Sequence, residues 1–185
     1  GVVLSCRDRP TVVLVSGDPF WYGAGAVLAE RLGSDEWIAH PGPSTFSLAA
    51  ARLGWRLETT ICIGLHAAPF ERLVPHLARD ARIICLMRDA TAVDALAKWL
   101  TDRGWGASPM WTLEALGGPQ EYTDQHRVDL FAEEVTSNLV AVALWARGTQ
   151  GIPRSSGLPD DLFVHDGQIT KRPVRALALS ALAPR

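Results

Sequence analysis

Val12-Val13-Leu14-Val15-Ser16-Gly17-Asp18-Pro19-Phe20-Trp21-Tyr22-Gly23 is the stretch on which the reading of this chain turns. The run from Thr11 to Val15 is continuously β-branched or Leu, the pattern of a parallel strand covered on both faces. It breaks at once into Gly-Asp-Pro. That break puts exposed backbone and one carboxylate at the carboxyl edge of a sheet, where open α/β folds hold their ligands. Working outward, a helix is expected from about Ala24 to Leu32, ended by Gly33, with Val27, Leu28, Arg31 and Leu32 forming one stripe. Trp37 to His40 reads as a short strand. The next phrase, Pro41-Gly42-Pro43-Ser44-Thr45-Phe46-Ser47-Leu48-Ala49-Ala50-Ala51-Arg52-Leu53-Gly54-Trp55, repeats the grammar: a Gly/Pro turn, Ser44 as N-cap, and a helix that stops at Gly54.

Further along, strands are expected at Thr60 to Leu65, Arg82 to Met87 and Ser108 to Leu113, with helices at Pro69 to Ala78 and Ala92 to Leu100. After the Gly117-Gly118-Pro119 turn, Glu121 to Val128 alternates weakly and Asn138 to Trp145 is strongly apolar, which predicts antiparallel strands closing a mixed sheet. The fold class is therefore α/β. The expected division is an α/β unit over 1–57, a second with a mixed sheet over 58–147, and a connector over 148–185 that begins Gly-, Pro- and Ser-rich. There is no internal repeat.

Composition narrows the function. A net charge of -2 on 185 residues argues against a surface that tracks nucleic acid, because phosphate binding needs a concentrated excess of Lys and Arg. No apolar run approaches the ~20 residues that span a bilayer, so no membrane partner is expected. Arg7, Asp8 and Arg9 interrupt the first ten residues, which lack the pattern of a secretory signal, and the expected compartment is the cytoplasm. Cys6, Cys62 and Cys85 are far apart. The last two sit in apolar runs and read as structural, and the histidines have no metal-ligand spacing, so no metal is expected.

The Gly-Asp-Pro-Phe-Trp loop and the Pro-Ser-Thr-Phe-Ser-Leu-Ala-Ala-Ala-Arg-Leu-Gly-Trp turn, in this order and spacing, together resemble the tetrapyrrole methylase family. These are S-adenosylmethionine enzymes that methylate uroporphyrinogen and the precorrins, and the likeness is greatest to the corrin-pathway members. The resemblance implies two small α/β units with a cleft between them and S-adenosyl-L-methionine as methyl donor, leaving S-adenosyl-L-homocysteine. It implies a small-molecule tetrapyrrole acceptor methylated at C5 of precorrin-6Y, and a homodimer. It also implies a strand and a Gly-rich loop ahead of Val12, which the given residues lack, and a fused C-terminal methyltransferase domain, toward which the tail leads. That second unit would methylate C15 and decarboxylate. Lys171 and Arg175 of the tail, taken alone, read as helix-surface charges.

Residue by residue, the resemblance assigns Ser16, Gly17 and Asp18 to the donor through backbone and carboxylate; the alternative is a tight turn in which Asp18 caps a helix. Ser44 and Thr45 match the family's hydroxyl pair on the donor, a role compatible with plain N-capping. Met87 matches a methionine against the adenosine, although Met is also a common core filler. Trp111 and Thr112 correspond to the strand that reads the adenine, or else they pack. A carboxylate-rich acceptor calls for Arg or Lys, so Arg52, Arg56 and Arg88 are candidates beside a solvated-surface reading. Trp21 and Tyr22 would stack on the macrocycle or close the core. Asp18 is the motif carboxylate that could act as a base, since methyl transfer is an in-line displacement that needs positioning more than a nucleophile. Three other readings compete: a non-catalytic scaffold for the second unit, a ribosomal-RNA 2'-O-methyltransferase of the same fold, and a flavodoxin-like phosphate-binding module.

Overall fold

Five strands pair into one mixed sheet in a computed structural model that describes residues 3–183 except 7, 8, 133, 150 and 154. Arg7 and Asp8, used above, lie outside the described residues. The strands are β1 (Thr60–Gly64), β2 (Arg82–Leu86), β3 (Pro109–Glu114), β4 (Tyr122–Arg127) and β5 (Val140–Trp145). Their spatial order is β1-β2-β5-β3-β4: β1 and β2 are parallel, while β5 runs antiparallel to both β2 and β3, and β4 to β3. The expected antiparallel pairings are present. The last strand, however, enters the middle of the sheet. Val140 to Leu144 are all buried, which is what a central strand covered on both faces requires.

Period-2 alternation divides the core into two. Ile63, Ile83, Cys85, Val142 and Leu144 face one side and meet helix α3 (Thr91–Asp102), whose Val93, Leu96, Ala97 and Leu100 form a buried stripe. Ile84, Leu113, Ala141 and Ala143 face the other side and meet helix α2 (Thr45–Leu53) through Phe46, Ala49 and Ala50. Alanines on both partners let α2 approach closely. Burial pushes the Cys85 thiol up to about 12 and that of Cys62 to about 11, so both stay neutral thiols at neutral pH. Glu114 is buried at the end of β3; its Oε2 accepts from Thr136 N (3.0 Å), Thr136 Oγ1 (3.0 Å) and Ser137 N (2.7 Å), which fixes the segment leading into β5.

Several expectations are corrected. Thr11–Val15 and Trp37–His40 belong to no strand. Val12, Leu14 and Ile38 are 84, 91 and 84% exposed, so the apolar pattern of these segments is not matched by pairing or burial. Helix α1 covers only Gly25–Ala29, and Phe70–His76 is a 3-10 run carrying Pro75, whose ring and missing N–H are incompatible with a regular α-helix interior. The tail forms helix α4 (Arg172–Leu182), and Arg175 is no solvated surface charge. Its guanidinium donates to Asp160 Oδ1 at 2.6 Å and to the Thr170 and Leu158 carbonyls, and stacks 4.7 Å over Phe163.

Asp89 anchors the start of α3, accepting from Ala92 N at 3.0 Å and Thr91 Oγ1 at 2.6 Å, and pairs with Arg88 at 2.7 Å. The hydrogen bond from Arg88, then that from Thr91, holds the carboxyl below its ordinary 3.8, at about 2. A depressed folded-state value stabilises the protein above the unfolded value and is lost as pH falls through the folded one. Melting temperature is therefore expected to drop between about pH 4 and pH 2 with a component that Asp89→Ala abolishes. Identical acid profiles for both proteins would rule that component out.

Candidate functional site

The two loops singled out in the sequence converge. Ser16, Gly17, Asp18, Trp21 and Tyr22 from the first and Ser44, Thr45 and Phe46 from the second line one cavity of about 350 Å³, with Leu86 at the end of β2 as part of its wall. Backbone contact explains why glycines stand at the junction. Gly17 has φ 66°, a conformation open to glycine, and a Cβ there would lie 3.4 Å from the Pro43 carbonyl. A Cβ on Gly42 would lie 3.2 Å from the Gly17 carbonyl. A side chain on Gly42 would crowd the first loop, and one on Gly17 would be strained by its left-handed backbone.

Each loop is fixed from within. Asp18 Oδ1 accepts from Phe20 N at 2.8 Å, and Gly25 N donates to the Pro19 carbonyl at 2.8 Å, which folds the aromatic run into a tight loop. On the second loop Ser44, extended at φ -72° and ψ 161°, accepts from Ser47 N at 3.1 Å and caps α2. Gly54, left-handed at φ 65°, ends that helix. The N-terminus of α2 therefore points unpaired N–H groups and its positive dipole end toward the cavity.

An aromatic wall joins the loops. Trp21 and Tyr22 pack on buried Phe46, with centroids 4.8 and 5.9 Å away, and Tyr22 meets the His66 ring edge-on at 5.8 Å. Tyr22 has φ 58°, an unfavourable backbone for a non-glycine residue that the surrounding contacts must hold. Asp18 is the charged residue among those lining the cavity. The site offers backbone donors, one carboxylate and aromatic faces, a set suited to a cationic, polar small molecule with an aromatic or apolar companion.

Other expected site residues lie elsewhere. Met87 is buried in the α3-side core; alternation along β2 turns Leu86 toward the cavity and Met87 away. Trp111 packs edge-on against Trp55 at 5.4 Å, and buried Thr112 contacts His126 Nε2 at 3.3 Å. Both are on β3, separated from β2 by β5. Arg52 is held bidentately by Glu121, which also accepts from Gly117 N at 2.7 Å, so it ties α2 to the turn after β3. Arg88 is engaged by Asp89. Arg56 contributes its carbonyl, which accepts from Thr60 Oγ1 at 2.8 Å. None of these three arginines lines the cavity. Phe46 and Leu86 were missed as site residues. Phe46 lay inside the quoted phrase, and the period-2 rule applied to β2 would have selected Leu86.

Comparison with known proteins bears on this geometry. Residues 3–129 match the family model for tetrapyrrole (corrin/porphyrin) methylases. The precorrin-6Y C(5,15)-methyltransferase (decarboxylating) of Sinorhizobium sp is 42% identical over 186 residues, covering 99% of this chain and 45% of that protein. The protein of the same name from Mycobacterium tuberculosis (strain CDC 1551 / Oshkosh) is 39% identical over 175 residues, covering 94% of this chain and 44% of its own length. The chain thus spans less than half the length of these relatives. Among solved structures, the methyltransferase CobJ superposes with a TM-score of 0.59 at 19% identity, covering 78% of this chain and 69% of that one. Uroporphyrin-III C-methyltransferase from Thermus thermophilus, complexed with S-adenosylhomocysteine, gives 0.57 at 23%, covering 77 and 69%. The two structures share its fold. With the family match running through both cavity-forming loops and the relatives aligned along nearly the whole sequence, the chain belongs to the tetrapyrrole methylase family.

Proposed function

We propose that this chain is the methyl-transfer module of a cobalamin-pathway enzyme that uses S-adenosylmethionine to methylate C5 of precorrin-6Y, the whole protein also methylating C15 with decarboxylation. The observation that carries this reading is the convergence of the Ser16–Tyr22 and Ser44–Phe46 loops on one cavity, in a chain 42% identical over 99% of its length to a protein named for that reaction. S-adenosylmethionine, when bound, supplies an electrophilic methyl group on a sulfonium.

The residues present fit that donor. A cavity of about 350 Å³ lies within the usual ~300–1,000 Å³ of small-molecule sites. The Gly17 backbone, free of a side chain, and the N-terminus of α2 suit the donor's amino-acid end, whose carboxylate favours helix-start N–H groups. The Asp18 carboxylate and the faces of Trp21 and Tyr22 suit its cationic part. Ser16 and Thr45 would add polar contacts from the two loops. Ser44 serves as the cap, and its hydroxyl is shared with Ser47 Oγ at 3.0 Å. Trp21 and Tyr22, 39 and 47% exposed, offer the acceptor macrocycle a stacking surface.

The same reading carries the division into units 1–57, 58–147 and 148–185. Its support is that the cavity takes lining from the first and, through Leu86, from the second. It also carries a cytoplasmic location, a homodimer and a fused second methyltransferase domain in the whole protein. Among the described residues no helix is long and apolar enough to cross a membrane.

Titration calorimetry with S-adenosylhomocysteine tests the central point. The whole protein should bind it, and Asp18→Ala should weaken binding roughly ten- to a hundredfold, the scale of losing a charge-assisted contact. A folded protein that binds none is a scaffold and not the transferase. Undiminished binding by Asp18→Ala removes the carboxylate from the donor site.

A further inference from the structure

Gly64, at the carboxyl end of β1, sits beneath two aromatic rings. A Cβ there would lie 2.8 Å from Tyr22 Cε1, 2.9 Å from His66 Cε1 and 3.1 Å from His66 Nδ1. The rings meet edge to face, with centroids 5.8 Å apart and planes at 85°. Tyr22 lines the cavity. Independently, the residue preceding His66 is tied to the same wall: Leu65 N donates to the Leu86 carbonyl at 2.8 Å, and Leu86 lines the cavity. His66 is thus held beside the cavity wall, against Tyr22 and directly after the residue hydrogen-bonded to Leu86. Its side chain is exposed, and among the described residues its ring nitrogens make no hydrogen bond or ion pair.

Methylation at carbon releases a proton that such a group can take. The acceptor carbon's π pair forms the new C–C bond, and the S–CH3 bond breaks with its electrons staying on sulfur as a neutral thioether. The C–H bond of that carbon must then return its pair to the ring while a proton leaves. Asp18, the other titratable candidate, has Oδ1 engaged by Phe20 N at 2.8 Å and lines the cavity proposed for the donor. A neutral imidazole has one lone pair to receive the proton, and an exposed ring can pass it to water before the next turnover.

We propose that His66, packed against the cavity-lining Tyr22 over the side-chain-free Gly64, accepts the proton lost from the methylated carbon. This rests on the methyltransferase reading and adds a catalytic residue to it. The strained Tyr22 backbone and the bare Gly64 then have a common purpose. They bring the imidazole to the edge of the aromatic surface on which the acceptor would stack.

The test uses the whole protein with precorrin-6Y and S-adenosylmethionine. His66→Gln should lower kcat on the order of a hundredfold or more, the scale of a lost general base, while S-adenosylhomocysteine affinity stays at the wild-type value. In His66→Ala, added imidazole should restore part of the rate, which a purely structural role would not allow. Undiminished kcat in His66→Gln overturns the proposal. So does a loss matched by an equal loss of S-adenosylhomocysteine affinity, or a deficit in His66→Ala that imidazole leaves untouched. A wild-type protein that neither binds S-adenosylhomocysteine nor transfers methyl overturns the underlying function instead, which keeps the two failures apart.

Discussion

Phe46→Ala is expected to lower the free energy of unfolding by about 3–5 kcal/mol and to abolish measurable binding of S-adenosylhomocysteine in the remaining folded protein. Phe46 is 1% exposed, sits in the first turn of α2, and packs into the cluster formed with Ile84, Leu113, Ala141 and Ala143. Truncation removes its buried area and leaves a cavity that the small neighbours Ala141 and Ala143 cannot fill. The same ring carries Trp21 at 4.8 Å and Tyr22 at 5.9 Å. Without it both loop aromatics lose their support, so stability and ligand binding fall together. Urea unfolding and calorimetry on one preparation read both effects. A loss below about 1 kcal/mol would mean that the site collapses around the gap far better than this packing permits.

Gly64→Ala should act in the opposite proportion, with little change in unfolding but a loss of methyl transfer on the order of 10²-fold. The new methyl group would meet Tyr22 Cε1 at 2.8 Å and His66 Cε1 at 2.9 Å. Those atoms lie toward the far ends of side chains that can swing outward, whereas the β1 backbone is held by its pairing with β2. The strand should therefore stay and the rings move. Displacement of about 1 Å at a positioned group is enough for a loss of that size. Circular dichroism and melting temperature should match the wild type while kcat/KM drops. If the rate is preserved, the rings over Gly64 play no part in the reaction; if the protein unfolds, β1 rather than the rings has given way.

Much of this organisation was legible in adjacent residues. Ser44, the Phe46-Ala49-Ala50-Leu53 stripe and Gly54 specify α2 from cap to cap, and the helix runs over Thr45–Leu53 as its sequence dictates. The β-branched runs at 60–64, 82–86 and 140–145 became strands. The two turn phrases announced a common site, and Ser16, Gly17, Asp18, Trp21, Tyr22, Ser44 and Thr45 do line one cavity. Met87 went elsewhere by alternation along β2 and Arg88 by pairing with the adjacent Asp89, whereas Trp111, Thr112 and Arg52 did so through partners remote in sequence. Glu121, for example, lies 69 positions from the Arg52 it holds. Thr11–Val15 has strand composition without strand pairing, since a ladder exists only where a neighbour supplies the other half of each hydrogen bond.

The amino-acid order alone decided where helix α2 begins and ends and marked the five strands to within one or two residues at each end, because caps, turns and hydrophobic period act over a few consecutive residues. Tertiary structure alone decided that β5 enters between β2 and β3, that the two loops close on one cavity with Leu86 in its wall, and that His66 packs against Tyr22. Those outcomes follow from long-range pairing and burial, in which one sheet register fixes the face of every side chain at once.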